Sequence, residues 1–202
     1  MDSDLAESIS ALKESLSSCR VNARFGKADP ERVKALHQAL RIPRRYREFL
    51  LECDPVQVET STPAEKIRLF SSAKLEDEQV GFALTEARTP IPGPARNGWR
   101  PTWIVIGSSS LLGDPYFLDT SKPDPEGDCP VYTAMSGTET WQPKLCASSF
   151  ALFLRILSVS LDVAKGFDLS DYDVDNEQVF REALGPKIRQ YDPAATKAGH
   201  WT

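Results

Sequence analysis

Apolar residues recur at helical spacing near both ends of this chain and in short unbroken or alternating runs through its middle. Leu5, Ile9, Leu12 and Leu16 make one helical stripe, and Asp4 with Glu7 three residues on is an acidic variant of the capping box. Asp29-Pro30 supplies a cap and a first-turn proline for a second helix with Val33, Leu36 and Leu40 on one face, and Pro43 restarts a helix through Leu51. Trp103-Ile104-Val105-Ile106-Gly107 has the aromatic and β-branched content of a buried strand. Ser108 to Leu112 lead into Gly113-Asp114-Pro115, a turn that calls for positive φ at Gly113 and lets Asp114 cap backbone N–H groups. Tyr116-Phe117-Leu118-Asp119 follows at once, so the two runs predict a hairpin, with Pro130 to Met135 as a third strand. Ser148 and Ser149 offer caps for a helix carrying Phe150, Phe153, Leu154, Leu157 and Leu161.

Prolines at 55, 63, 90, 92, 94 and 101 interrupt any period between Asp54 and Pro101, which predicts loops there, apart from a strand at Ile67-Arg68-Leu69-Phe70. Pro90 to Gly98 reads as an extended surface loop with Trp99 anchoring its end. Gly166 is a natural helix stop, and Val179, Phe180, Ala183, Leu184 and Ile188 line a later amphipathic helix that Gly185-Pro186 should end or kink. Residues past Tyr191 read as a loose tail, with Trp201 able to dock it. The whole predicts an α+β domain over residues 1–192, followed by a tail at 193–202. Its antiparallel sheet should have about four to six strands, with helices packed on one side and at the edge.

The order of these elements resembles the SUKH superfamily, which includes the Smi/Knr cell-wall regulators of fungi and many bacterial immunity proteins. The resemblance covers roughly residues 40 to 160 and rests on several features. They are the Trp103-to-Gly107 strand, Gly113-Asp114 before the aromatic strand with Asp119 at its end, Pro130-Val131-Tyr132, Trp141, and Ser149-Phe150 with Phe153-Leu154. Ile42-Pro43 followed by Tyr46, Phe49 and Leu50 resembles the family's upstream helix, although Glu52-Cys53-Asp54-Pro55 replaces the glycine-rich turn that often follows it. The resemblance implies a protein-binding domain without catalysis, foremost an immunity protein that occludes a cognate toxin. The alternative it implies is a regulatory or scaffolding domain that binds a cellular protein or ligand.

A length of 202 residues, with 41% hydrophobic and 26% charged content, fits one soluble core. The acidic start Met1-Asp2-Ser3-Asp4 lacks the pattern of a secretory signal, which points to the cytoplasm, and Phe150 to Val163 is too short and too interrupted by Arg155 to span a membrane. Cys19, Cys53, Cys129 and Cys146 include no Cys-x-x-Cys pair, and His37 and His200 are the only histidines, so reduced structural cysteines and no metal or organic cofactor are expected. Gly107 and Gly113 enclose five residues where a phosphate loop has four, and no Gly-x-Ser-x-Gly elbow is present. These absences leave no enzyme class with a motif to support it.

Charge is unevenly spread. Residues 20–47 hold nine basic against two acidic side chains, residues 162–182 hold seven acidic against two basic, and the net charge is −5. The cluster Arg41, Arg44, Arg45 and Arg47 is compact, but the chain has a pI of about 5.2 and no nucleic-acid-binding motif, so a nucleic-acid partner is disfavoured. Asp114, Asp119, Asp124, Glu126 and Asp128 stand against Lys122 alone between residues 113 and 128. With Gly113, Tyr116, Tyr132 and Trp141 they form the expected binding set, in which the acids steer a basic toxin such as a nuclease and an aromatic anchors it. Solvated loops explain the same charges, and Trp141 fits a core position equally well.

Overall fold

The central hairpin is the spine of a sheet whose strands follow one another in strict chain order. In the computed structural model, which describes residues 3–91, 98–169 and 174–202, seven strands pair antiparallel from β1 to β7. They are β1 (Arg24–Gly26), β2 (Asp54–Ser61), β3 (Lys66–Leu69), β4 (Trp103–Ser109), β5 (Pro115–Asp119), β6 (Val131–Thr133) and β7 (Lys144–Ala147). Six helices accompany them among the described residues: α1 (Ser3–Ser18), α2 (Pro30–Leu40), α3 (Arg44–Cys53), α4 (Phe150–Ala164), α5 (Val174–Tyr191) and α6 (Pro193–Ala198). The α+β class holds, with one strand more than the expected range; β1, β2 and β7 are the strands that the hydrophobic pattern does not reveal.

Register explains how the hairpin divides its side chains. Ile104 opposes Leu118 and Val105 opposes Phe117. Because neighbouring residues on a strand point to opposite faces, Tyr116 and Leu118 face one way and Phe117 and Asp119 the other. On the first face Tyr116 packs on Phe153 of α4, 5.5 Å between ring centroids, and α1 lies over α4, where Ser15 and Ser158 share a hydrogen bond of 3.0 Å. On the second face Phe117 and Trp103 meet Trp99 at 4.8 and 5.3 Å, with Phe82 and Trp141 beyond. The connection between β3 and β4 therefore roofs this face with aromatic rings. β4 bulges between Val105 and Gly107, and the fully buried Gln79 amide answers the disturbed ladder by donating to the Val105 carbonyl at 2.8 Å and accepting from its N–H at 3.0 Å.

Two glycines set the hairpin geometry for different reasons. Gly113 has φ +72° in the β4–β5 turn, as the sequence predicts, and a Cβ there would meet nothing within 4 Å. Gly107 has ordinary φ, but a Cβ would lie 2.5 Å from the Arg68 carbonyl oxygen of β3. Gly113→Val should cost about 1–3 kcal/mol through backbone strain alone, and Gly107→Ala should cost more because two strands must separate. Urea denaturation of both variants checks the order. A Gly113→Val midpoint equal to wild type would remove the strain argument.

The chain beyond α4 departs from expectation. α4 ends at Ala164 with its cap residue Lys165 in right-handed conformation, and Gly166 is not a left-handed stop. α5 runs through Gly185-Pro186 to Tyr191. The expected loose tail is instead α6, whose cap Asp192 accepts from Ala195 N at 3.0 Å and also ties Ser148 N at 2.6 Å. Trp201 is buried and donates from Nε1 to the Cys146 carbonyl of β7 at 2.7 Å, so α6 and Trp201 close the sheet edge. The surface loop read between Pro90 and Gly98 falls mostly on residues 92–97, outside those described.

Candidate partner-binding site

The acidic loop is largely occupied by its own backbone. Asp119 is buried; its Oδ1 accepts from Ser121 N at 3.1 Å and Ser121 Oγ at 2.6 Å, and its Oδ2 lies 3.4 Å from Lys122 Nζ. Burial pushes its carboxyl up, but the Ser121 hydrogen bonds and the Lys122 charge outweigh that and hold it below the usual carboxylate range. Asp124 is exposed, and its Oδ1 folds the loop by accepting from Glu126 N and Asp128 N at 2.9 and 2.8 Å. Asp128 is 1% exposed and accepts from Cys129 N, Phe150 N and Ala151 N at 2.7, 2.9 and 3.1 Å, so it caps α4 from a distant loop. Burial raises its pKa despite those donors. Arg45, itself 2% exposed, pairs with Asp4 at 2.6 Å and with Glu126, and reaches Asp128 at 3.8 Å. Asp4 thus ends in this ion pair, beyond the capping role its sequence position suggests.

Of the aromatic members of the expected set, Tyr116 is fully buried and Tyr132 and Trp141 are half-buried against the core. Tyr132 stacks on Phe117 at 6.0 Å and lies under Lys122, and Trp141 joins Trp99 and Phe82 at 5.3 and 5.7 Å. Of the acids in the loop only Asp124 and Glu126 face solvent.

At the opposite end of β5 a cavity of about 660 Å³ opens, and two of the sequence-named residues, Asp114 and Tyr116, line it. Its base is built by groups far apart in the chain. The Tyr116 hydroxyl donates to Glu65 Oε2 and lies 3.0 Å from His200 Nε2, which is 3.2 Å from Glu65 Oε1. Arg181 of α5 donates from Nη1 to the His200 carbonyl at 2.7 Å and from Nε to Glu177 at 2.9 Å, so it positions the residue that completes the base. Burial pushes the Glu65 carboxyl up, but His200 and the Tyr116 hydroxyl pull it further down, below the usual range. Burial and the neighbouring Glu65 charge lift the Tyr116 hydroxyl well above its ordinary value. The base is therefore a carboxylate, a phenol held protonated and a histidine ring, a set rich in hydrogen-bond donors and acceptors.

Around the mouth stand Leu111, Leu112 and Met135, 59%, 72% and 65% exposed. Gly113 sets the turn that presents the two leucines, and Asp114 Oδ1 accepts from Ser136 N at 2.7 Å, joining that turn to the loop holding Met135. This lateral tie, rather than a cap within its own turn, is what Asp114 provides. Among the described residues no group of three or more His, Cys, Asp or Glu is placed to hold a metal ion, and no helix is long and apolar enough to cross a membrane.

The SMI1 / KNR4 family (SUKH-1) matches residues 27–156, most of the chain and all of the sheet from β2 to β7. The chain belongs to this family. No curated protein matches it. The SUKH-1 span contains the mouth residues, Glu65 and Tyr116, and stops within α4. Arg181 and His200 lie past it. Sequence reasoning places His200 in a tail and does not single out Glu65 or Arg181, because only the folded α5–α6 return brings these groups to Tyr116.

Proposed function

We propose that this SUKH-1 chain is a non-catalytic protein-binding domain of the immunity type, acting in the cytoplasm to neutralise a cognate toxin by occluding it. The family match over residues 27–156 carries the reading. The cavity base is compatible with a binding role, since Glu65 is engaged by the Tyr116 hydroxyl and by His200. A net charge of −5 and the exposed carboxylates Asp124 and Glu126 favour a basic toxin, a nuclease among the candidates, by steering its approach.

Co-expression tests this. The toxin domain encoded beside this gene should stop growth when expressed alone and be tolerated when this chain is present, and the purified pair should elute as one inactive complex. Continued killing despite abundant folded chain, or no toxin domain beside the gene, would overturn the toxin reading and leave the regulatory one.

A further inference from the structure

Resting on the partner-binding reading above, we infer that the mouth formed by Leu111, Leu112 and Met135 is the docking surface, and that it takes a protein segment pairing apolar side chains with a basic one. Three large apolar side chains exposed together, on two loops tied by the Asp114–Ser136 hydrogen bond, are unusual on a surface that need not be covered. The tie fixes their spacing before a partner arrives, which lowers the ordering cost of binding. A volume of about 660 Å³ accommodates several side chains, and the mouth residues project beyond the cavity, where a small enclosed ligand would leave them in water and a protein would cover them.

Charge selects the basic companion. The lining holds the carboxylates of Glu65, Asp114 and Glu177 against the fixed cations Lys144 and Arg181, and Arg181 is engaged by Glu177 and the His200 carbonyl. Asp114 and Lys144 are the lining charges with no ion-pair partner among the described residues, and of the two Asp114 shares the turn that carries the exposed leucines, whereas Lys144 begins β7. A Lys or Arg next to an apolar anchor therefore meets an unpaired carboxylate at the mouth.

The test uses the whole chain as bait for a phage-displayed library of random 12-residue peptides, with selected peptides resynthesised for titration. Enrichment of sequences joining large apolar residues to Lys or Arg is expected. Leu112→Glu and Met135→Glu, both at exposed positions and so expected to melt like wild type, should each weaken these peptides about tenfold or more. Asp114→Asn, which keeps the acceptor for Ser136, should weaken basic peptides while sparing versions with the basic residue replaced by Ala. No enrichment, a preference for acidic peptides, or unchanged affinity in the glutamate variants would overturn the inference. So would binding of anilinonaphthalene sulfonate at the cavity with no peptide selected, which would assign it to a small apolar ligand, or dimerisation in ultracentrifugation abolished by the same variants, which would assign the face to a second copy. None of these readouts depends on a toxin, so the surface and the immunity role can fail separately.

Discussion

Asp128→Ala should lower stability by about 3–5 kcal/mol, the range for removing one partner from a buried ionic group. Three amide N–H groups converge on this carboxylate, two of them from the first turn of α4, and the guanidinium of Arg45 lies 3.8 Å away with almost no solvent. Truncation leaves those donors without an acceptor and removes one of the carboxylates around a buried cation. For a chain of this length each 1 kcal/mol moves the melting temperature by roughly 2–4 °C, so a fall of about 6–20 °C is expected. Asp124→Ala, on the same loop but exposed, should lose less. Equal melting curves for the two variants would contradict the assignment of Asp128 as the internal cap of α4. Reversing the charge of Asp128 would therefore unfold the protein before it reported on any partner of the acidic loop.

Trp201→Ala should be as damaging, at about 3–5 kcal/mol for deleting a buried tryptophan. The ring is 3% exposed, lies 4.4 Å from the His200 ring, and its N–H answers the Cys146 carbonyl of β7. Losing it should open a void under α6 and release His200 from Glu65 and Tyr116. Trp201→Phe keeps most of the volume but leaves the carbonyl unanswered, an intermediate cost of about 1–3 kcal/mol. Thermal unfolding of the two variants beside wild type gives the ranking. An alanine variant melting within a degree of wild type would mean that the C-terminal segment is not integral to the domain.

Much of the frame is readable from local pattern. Leu5, Ile9, Leu12 and Leu16 are all buried, Ser149 accepts from Leu152 N at 3.1 Å as a cap should, and the turn at Gly113 has its left-handed glycine. β2 escapes because Gln57, Glu59, Thr60 and Ser61 carry little apolar alternation and the strand starts at Asp54, immediately after the last residue of α3. β7 escapes because Lys144-Leu145-Cys146-Ala147 is short and takes its stability from Trp201 and α6, far along the chain. α6 has a local signal, since Asp192-Pro193 repeats the Asp29-Pro30 start that reads correctly as a helix cap. The site is less legible than the fold. Acidic composition between residues 113 and 128 does not distinguish Asp124, which faces water, from Asp119 and Asp128, which bond backbone inside. Glu65, Tyr116, Arg181 and His200 meet only through the tertiary return of α5 and α6.

The chain-order sheet also dictates a timetable during synthesis. Each strand can pair with its predecessor as it emerges, so the sheet can grow from β1 onward without waiting for distant sequence. The exception is its last edge. β7 is complete at Ala147, but Trp201, which seals it, is made roughly 3–11 s later at about 5–20 residues per second. For that interval the nascent protein carries β7 with its outer edge uncovered, a ready template for aggregation. Slow decoding between residues 147 and 201 should therefore reduce the yield of native protein more than equal slowing upstream of β4.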